Sequence, residues 1–336
     1  MTIYILWIQL GFAALLILGA STYLARSADV IAFKTGLGRS FVGVVLLATA
    51  TSLPELGTGV SAIALFGEVN LAAGDAFGSN LFNLLIIGLL DLFWREGPIL
   101  SRISTTSVLV ASLSIVVIGL AAAAIIIHNQ TDISSGWYVS PVSAIILLIF
   151  FSAMYMTYRF EKSQSKDAVV EDTQYESDSL VKAVIAYTLS ATVVVISAIW
   201  LAGAGDRVAT ELGWDASFMG TQFLAFSTSL PELSAGFSAI RIRAPELAIS
   251  GVLGSNLFNM GFVLFVDDLA YTTGALWSEL AQIHVITAIV AIIMTAVVII
   301  ALIDRNRQRP QKHWTVEAII LIGLYAAASV LVFSLT

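Results

Sequence analysis

The chain has 336 residues, of which 58% are hydrophobic and only 12% charged, with a net charge of −7. Soluble domains carry about 25% charge, so a water-soluble globule is excluded for want of polar surface, and the class is an all-α polytopic membrane protein. The chain has no cysteine, which removes disulfides, thiolate catalysis and thiolate metal sites, and the modest acidic balance, part of it in one loop, points to no nucleic acid.

Crossing the hydrocarbon takes about 20 helical residues. Ten runs meet this, at roughly 3–25, 40–67, 70–94, 104–127, 137–159, 180–202, 215–240, 246–270, 279–303 and 314–335. The first run has no basic leader and is long enough to span, so it reads as a helix and not as a signal peptide. Glu161 to Ser179 is rich in Lys, Glu, Asp, Gln and Ser and reads as a flexible cytoplasmic linker. The chain therefore divides into a first repeat at 1–160, the linker at 161–179 and a second repeat at 180–336. With the N-terminus outside, every one of the 16 Lys and Arg except Arg207 falls in an inside loop, as the positive-inside rule requires; both termini then lie outside. The seven Trp all fall near predicted helix ends, as in an aromatic belt.

Two motifs occur twice. Thr51 to Leu56 and Thr228 to Leu233 both read TSLPEL, offset by 177 residues; Gly78 to Asn83 and Gly254 to Asn259 both read GSNLFN, offset by 176. One module was duplicated, and five spans per copy is an odd number, so the second copy enters the membrane inverted. Inverted repeats with broken helices and a midplane site characterise secondary transporters.

The repeated residues are the polar ones. Pro54 has no N–H and frees the carbonyl of Ala50; Pro231 does the same for Ser227. Glu55 and Glu232 lie halfway along spans 2 and 7, where an ionisable group is costly and normally functional. No Lys or Arg shares their depth, so the counter-charge is a proton or a bound cation. Gly78 and Gly254 permit close helix approach. Ser79 and Asn83 share one helix face, as do Ser255 and Asn259, while Asn80 and Asn256 point elsewhere and are expected to bond between helices. Carboxylates, hydroxyls, amides and freed carbonyls make an all-oxygen set, which suits Ca²⁺ and other hard cations. Asp91, Asp267 and Asp268 read as interfacial residues at helix ends.

The four motifs, in this order, resemble the cation/calcium exchanger superfamily, and most closely its sodium/calcium exchanger branch in the small prokaryotic form without a large regulatory loop. The resemblance covers nearly the whole chain. It implies that Glu55 and Glu232 bind Ca²⁺ and Na⁺ alternately, with ligands added by Thr51, Thr228, Ser52, Ser229, Ser79 and Ser255, by Asn83 and Asn259, and by the carbonyls of Ala48 and Ala225. It also implies that spans 1 and 6 slide across a core of the other eight. One departure stands out: many relatives carry Asp where this chain has Asn259, leaving one carboxylate fewer in the centre. Asp75, one turn before Ser79 and matched by Gly251 in the second copy, is the residue placed to compensate along the ion path.

The expected function is antiport of Ca²⁺ against Na⁺ by alternating access in a prokaryotic plasma membrane, with the ions as substrates, no cofactor, the lipid bilayer as surroundings and a monomer as the working unit. An H⁺- or K⁺-linked exchanger and a passive cation channel remain the alternatives. Two glutamates without a nucleophile or a histidine partner do not make an enzyme. With a central charge of −2, three Na⁺ together would leave the site +1, so weak Na⁺ binding or fewer than three Na⁺ per Ca²⁺ is expected.

Overall fold

A computed structural model describes residues 3–94, 96–131, 139–164, 175–212, 219–304 and 315–335. These residues form helices and no strands, and nine of the helices are long and apolar enough to cross a bilayer. The protein is an integral membrane protein with ten spanning elements. The first half comprises α1 (Ile3–Thr35), α2 (Arg39–Phe66), α3 (Val69–Phe93), α4 (Thr105–Gln130) and α5 (Pro141–Gln164). The second comprises α6 (Leu180–Leu212), the interrupted α7 (Met219–Leu224, Ala225–Thr228 and Leu230–Arg241), α8 (Pro245–Ala270), α9 (Ile283–Ile303) and α10 (Val316–Leu335).

The expected spans match these helices, with two differences. First, α1 and α6 each run for 33 residues, about ten beyond the apolar runs. Arg26 and Asp29 end the hydropathy signal of α1, but Asp29 is fully buried and neutralised. Arg39 donates to it through Nε at 2.5 Å and Nη2 at 3.0 Å, and the Tyr175 hydroxyl at 3.0 Å. With its charge paired, the helix continues.

Second, the two prolines act differently. Pro54 sits inside a continuous helix, so the break expected there is absent. π-turns flank this helix at Gly43–Leu47 and Ala62–Phe66, local windings that recur at functional sites. Pro231 does coincide with a break. Ser229 takes φ −85° and ψ 4°, ending one segment and starting the next. A further π-turn begins at Asn259.

Close packing of α8 on α2 depends on glycine. A Cβ on Gly254 would lie 2.6 Å from Val44 Cα and 2.9 Å from its carbonyl oxygen. Nothing but hydrogen fits against that backbone, as the sequence motif suggests. Most buried apolar side chains form one continuous core, whereas Ala13 and Ile17 of α1 pack with Ala198 and Leu201 of α6 in a small separate cluster.

Three expectations at helix ends are corrected. Trp277 is fully buried, with Nε1 donating to Ser143 Oγ at 2.7 Å, so it belongs to the interior and not to an aromatic belt; Trp137, Trp214 and Trp314 lie outside the described residues. Asp91, Asp267 and Asp268 are at most 5% exposed, so protein and not head groups surrounds them. Finally, residues 165–174 of the linker lie outside the described residues, but its far end is docked. Tyr175 is buried on α1, and Lys34 Nζ donates to the Glu176 carbonyl at 2.8 Å.

Candidate functional site

The two TSLPEL copies meet at the centre. Thr51, Ser52 and Glu55 from α2 face Thr228, Ser229 and Glu232 from α7, and none is more than 2% exposed. Their bonds cross between the halves. Ser52 Oγ donates to Glu232 Oε1 at 3.1 Å, and Ser229 Oγ donates to Glu55 Oε1 at 3.2 Å. Each glutamate thus takes a donor from the opposite copy. Each also keeps its second oxygen, Oε2, buried and without a hydrogen-bond partner. An unsatisfied carboxylate oxygen in a dry interior is costly, and a bound cation relieves that cost.

The threonines hold the helix backbone. Thr51 Oγ1 donates to the carbonyls of Leu47 at 3.0 Å and Ala48 at 3.3 Å. Thr228 Oγ1 reaches those of Leu224 at 3.0 Å and Ala225 at 3.4 Å. The Ala48 and Ala225 carbonyls therefore lie beside the cluster and already accept bonds from it.

The GSNLFN copies close the sides from α3 and α8. Ser255 Oγ donates to Glu232 Oε1 at 3.2 Å and lies 3.4 Å from Thr51 Oγ1. The matched Ser79 does not reach Glu55. It lies 3.4 Å from Thr228 Oγ1 and donates to Asp75 Oδ1 at 3.5 Å. Asp75 also accepts from Thr228 Oγ1 at 2.8 Å, and from Thr58 Oγ1 at 2.5 Å on its other oxygen. It is 1% exposed. Asp75 is therefore a member of the central cluster, and the expectation of two central carboxylates is corrected to three. The second copy has no room for a counterpart. A Cβ on Gly251 would already stand 3.0 Å from Leu47 Cδ2.

The asparagines divide. Asn256 bonds between helices as expected, accepting from Asn83 Nδ2 at 3.0 Å and donating to the Asn80 carbonyl at 3.3 Å. Asn80 departs from expectation, since its side-chain amide has no partner and only its carbonyl is used. Asn83 Oδ1 and both polar atoms of Asn259 are likewise buried without partners. Among the described residues no three Asp, Glu or His side chains converge as a closed metal cage. The cluster is instead three carboxylates set among hydroxyls, amides and carbonyls.

A profile of the sodium/calcium exchanger protein family matches residues 5–160 and 182–334. The chain belongs to that family. Among curated relatives, this family member is similar to sodium/calcium exchanger MaX1 of Methanosarcina acetivorans, 25% identical over 339 residues, covering 93% of this chain and 94% of that one. It is also similar to inner membrane protein YrbG of Escherichia coli K12, 24% identical over 279 residues, covering 77% and 80%. A solved structure of the sodium-calcium exchanger NCX_Mj, soaked with 10 mM Na⁺ and zero Ca²⁺, superposes at a TM-score of 0.69 and 20% identity, over 96% of this chain and 98% of that one. The same protein soaked with 2.5 mM Na⁺ and 10 mM Sr²⁺ gives 0.70 at 19% identity. Those likenesses speak to the fold: two inverted five-helix halves.

One feature of this exchanger family member escaped the sequence reading. Asp91 and Asp267 stand at matched positions, 13 residues after Gly78 and Gly254 and 176 apart, so the duplication carries a second acidic pair beside Glu55 and Glu232. The signal was the offset itself. In the structure Asp91 accepts from the Ile99 N–H at 2.8 Å and from the Thr315 hydroxyl, tying down the 96–103 loop and the start of α10. Asp267 makes no such bonds; neither of its oxygens has a hydrogen-bond partner.

Proposed function

We propose that this chain exchanges Ca²⁺ for Na⁺ by alternating access at the Glu55–Glu232 cluster. The observation that carries this reading is the reciprocal pairing of the glutamates, each held by a serine of the opposite repeat and each left with one unpartnered oxygen. Two such oxygens facing an all-oxygen shell suit one hard divalent ion. Glu55, Glu232, Thr51, Thr228, Ser52, Ser229, Ser79 and Ser255 are the proposed ligands. The carbonyls of Ala48 and Ala225 and the free amide oxygens of Asn83 and Asn259 complete the shell.

Asp75 alters the proposed stoichiometry. Its carboxylate shares Thr228 and Ser79 with the cluster, giving a fixed charge of −3 when all three carboxylates are ionised. Three Na⁺ then neutralise the site without an uncompensated charge. We therefore propose three Na⁺ per Ca²⁺ in place of the smaller number expected from Asn259. For alternating access, α1 and α6 slide as a pair. Their direct contact through Ala13 and Ile17 against Ala198 and Leu201 supports their moving together. The proposed setting is a prokaryotic plasma membrane with a monomer as the working unit, and both termini are placed outside on the basic-residue asymmetry.

The test is Ca²⁺ flux in vesicles of purified protein, driven separately by Na⁺, K⁺ and pH gradients. Flux driven by Na⁺ alone supports the reading. Flux driven by K⁺ or pH changes the coupling ion, and flux independent of any counter-ion makes the protein a channel.

A further inference from the structure

Asp267 is a buried carboxylate without a role in the central cluster. It is 1% exposed and both of its oxygens lack hydrogen-bond partners. It stands near the end of α8, eight residues or about 12 Å beyond Asn259 along the helix. Its carboxylate lies against α2 at Gly59, where a Cβ would come within 2.7 Å of Oδ1 and 3.0 Å of Oδ2. The neighbouring Thr58 donates to Asp75 Oδ2 at 2.5 Å, and Asp267 lies within electrostatic reach of both Asp75 and Asp268. Asp268 is satisfied by the Ser140 N–H at 2.8 Å. The duplicated partner Asp91 is satisfied too. Asp267 alone of these is left with both oxygens open.

We propose that Asp267 and Asp75, which lie against the adjacent α2 residues Gly59 and Thr58, form a second binding position for a hard divalent cation of the Ca²⁺ class. It lies about one helical turn from Glu55, toward the end of the molecule opposite the linker. Three features argue for a cation. Two carboxylates sit against neighbouring residues of α2, and one has both oxygens buried and unpartnered. None of the hydrogen bonds to either carboxylate comes from Lys or Arg. Glycine at position 59 lets the Asp267 carboxylate lie against α2, where a side chain would push it away. The position is open and not a cage, since only two carboxylates converge and water completes the shell. Asp75 belongs to both positions and links them. An ion leaving the central cluster toward this end passes from the Glu55 and Thr228 oxygens to Asp75, and from Asp75 to Asp267. The existence of the site does not depend on the coupling ion, although its place on a transport route rests on the exchange reading above.

The test is equilibrium binding of radioactive Ca²⁺ to detergent-purified full-length protein. The Glu55→Gln/Glu232→Gln double variant disables the central cluster and is expected to retain saturable binding of about one Ca²⁺ per chain. Adding Asp267→Asn is expected to raise the half-saturating Ca²⁺ concentration at least tenfold. Gly59→Ala in the otherwise native chain keeps every carboxylate and is expected to lower the bound Ca²⁺ by about one per chain. It therefore serves equally if the double variant does not fold. Melting temperature in detergent checks the fold of each variant. A folded double variant with no saturable Ca²⁺ binding, or binding unchanged by both Asp267→Asn and Gly59→Ala, overturns the proposal. Because the readout is binding and not flux, a failure of Na⁺-driven exchange in vesicles leaves this result intact, and the converse also holds.

Discussion

Replacing Asp75 by Asn tests the charge argument at its most exposed point. The amide keeps the shape; its single oxygen accepts from one of the Thr58 and Thr228 hydroxyls, which reach the two carboxylate oxygens at 2.5 and 2.8 Å, and its NH₂ donates to the oxygen of the other. What is lost is one negative charge. Asp75 precedes Ser79 by four residues, about 6 Å along α3. At that separation and an effective dielectric of about 20, one unit charge acting on another amounts to about 3 kcal/mol, or roughly 100-fold in the affinity of a monovalent ion. Glu55 and Glu232 still neutralise one Ca²⁺ between them. The third Na⁺ loses its counter-charge. Asp75→Asn should therefore leave Ca²⁺ transport measurable while raising the half-saturating Na⁺ concentration by one to two orders of magnitude and lowering the steepness of the Na⁺ dependence. The assay is Ca²⁺ uptake into vesicles across a series of Na⁺ gradients with the membrane potential clamped. An unchanged Na⁺ curve would refute the assignment of Asp75 to the ion charge balance.

Four further outcomes are expected. Asn259→Asp in the Asp75→Asn background should restore part of the Na⁺ dependence, and no recovery would mean that position 259 does not face the ions. Glu55→Gln and Glu232→Gln should each remove most Ca²⁺ flux, and because the serine bonds are reciprocal, Ser52→Ala and Ser229→Ala should weaken Ca²⁺ transport to similar degrees; a several-fold difference between the two serines would show that the halves are not equivalent. Gly254→Ala should destabilise by about 1–3 kcal/mol through overpacking against the Val44 backbone 2.6 Å away, read as a lower melting temperature in detergent. In this cysteine-free chain, a single cysteine at the exposed Ser177 should label only from the cytoplasm and one at the exposed Thr273 only from outside, and the reverse pattern would invert the proposed topology.

The duplicated motifs make the centre of this molecule legible in its sequence. Glu55, Glu232, the four serines and the two threonines are brought together as the repeats implied, because residues at matched positions of inverted halves converge near the pseudo-symmetry axis. What the sequence did not carry was the distinction between similar local signals in different surroundings. Pro54 and Pro231 sit in identical hexapeptides, yet only the second coincides with a helix break, at Ser229. Asp267 at the end of an apolar run looks the same as a solvated end residue. Its burial is a property of α2 packing beside it, which periodicity along α8 does not encode. Asp29 ended a hydropathy window but not a helix, because its partners Arg39 and Tyr175 are 10 and 146 residues away in sequence.

The length of α1 and α6 has a consequence for the surrounding lipid. Thirty-three residues of helix extend for about 50 Å, against about 30 Å of hydrocarbon and 40–45 Å with the head groups. A pair of rods that long, lying side by side, fits such a slab by leaning. A lean of about 30° brings the axial extent down to the full bilayer thickness, and lean is the property of a spanning helix that responds to bilayer thickness. Acyl-chain length thus becomes a mechanical input to the pair that is proposed to slide. Thicker bilayers stand the two rods up and thinner ones lay them down, so under the proposed sliding mechanism lipid thickness acts on the moving pair and not on the oxygen cluster carried by the other helices.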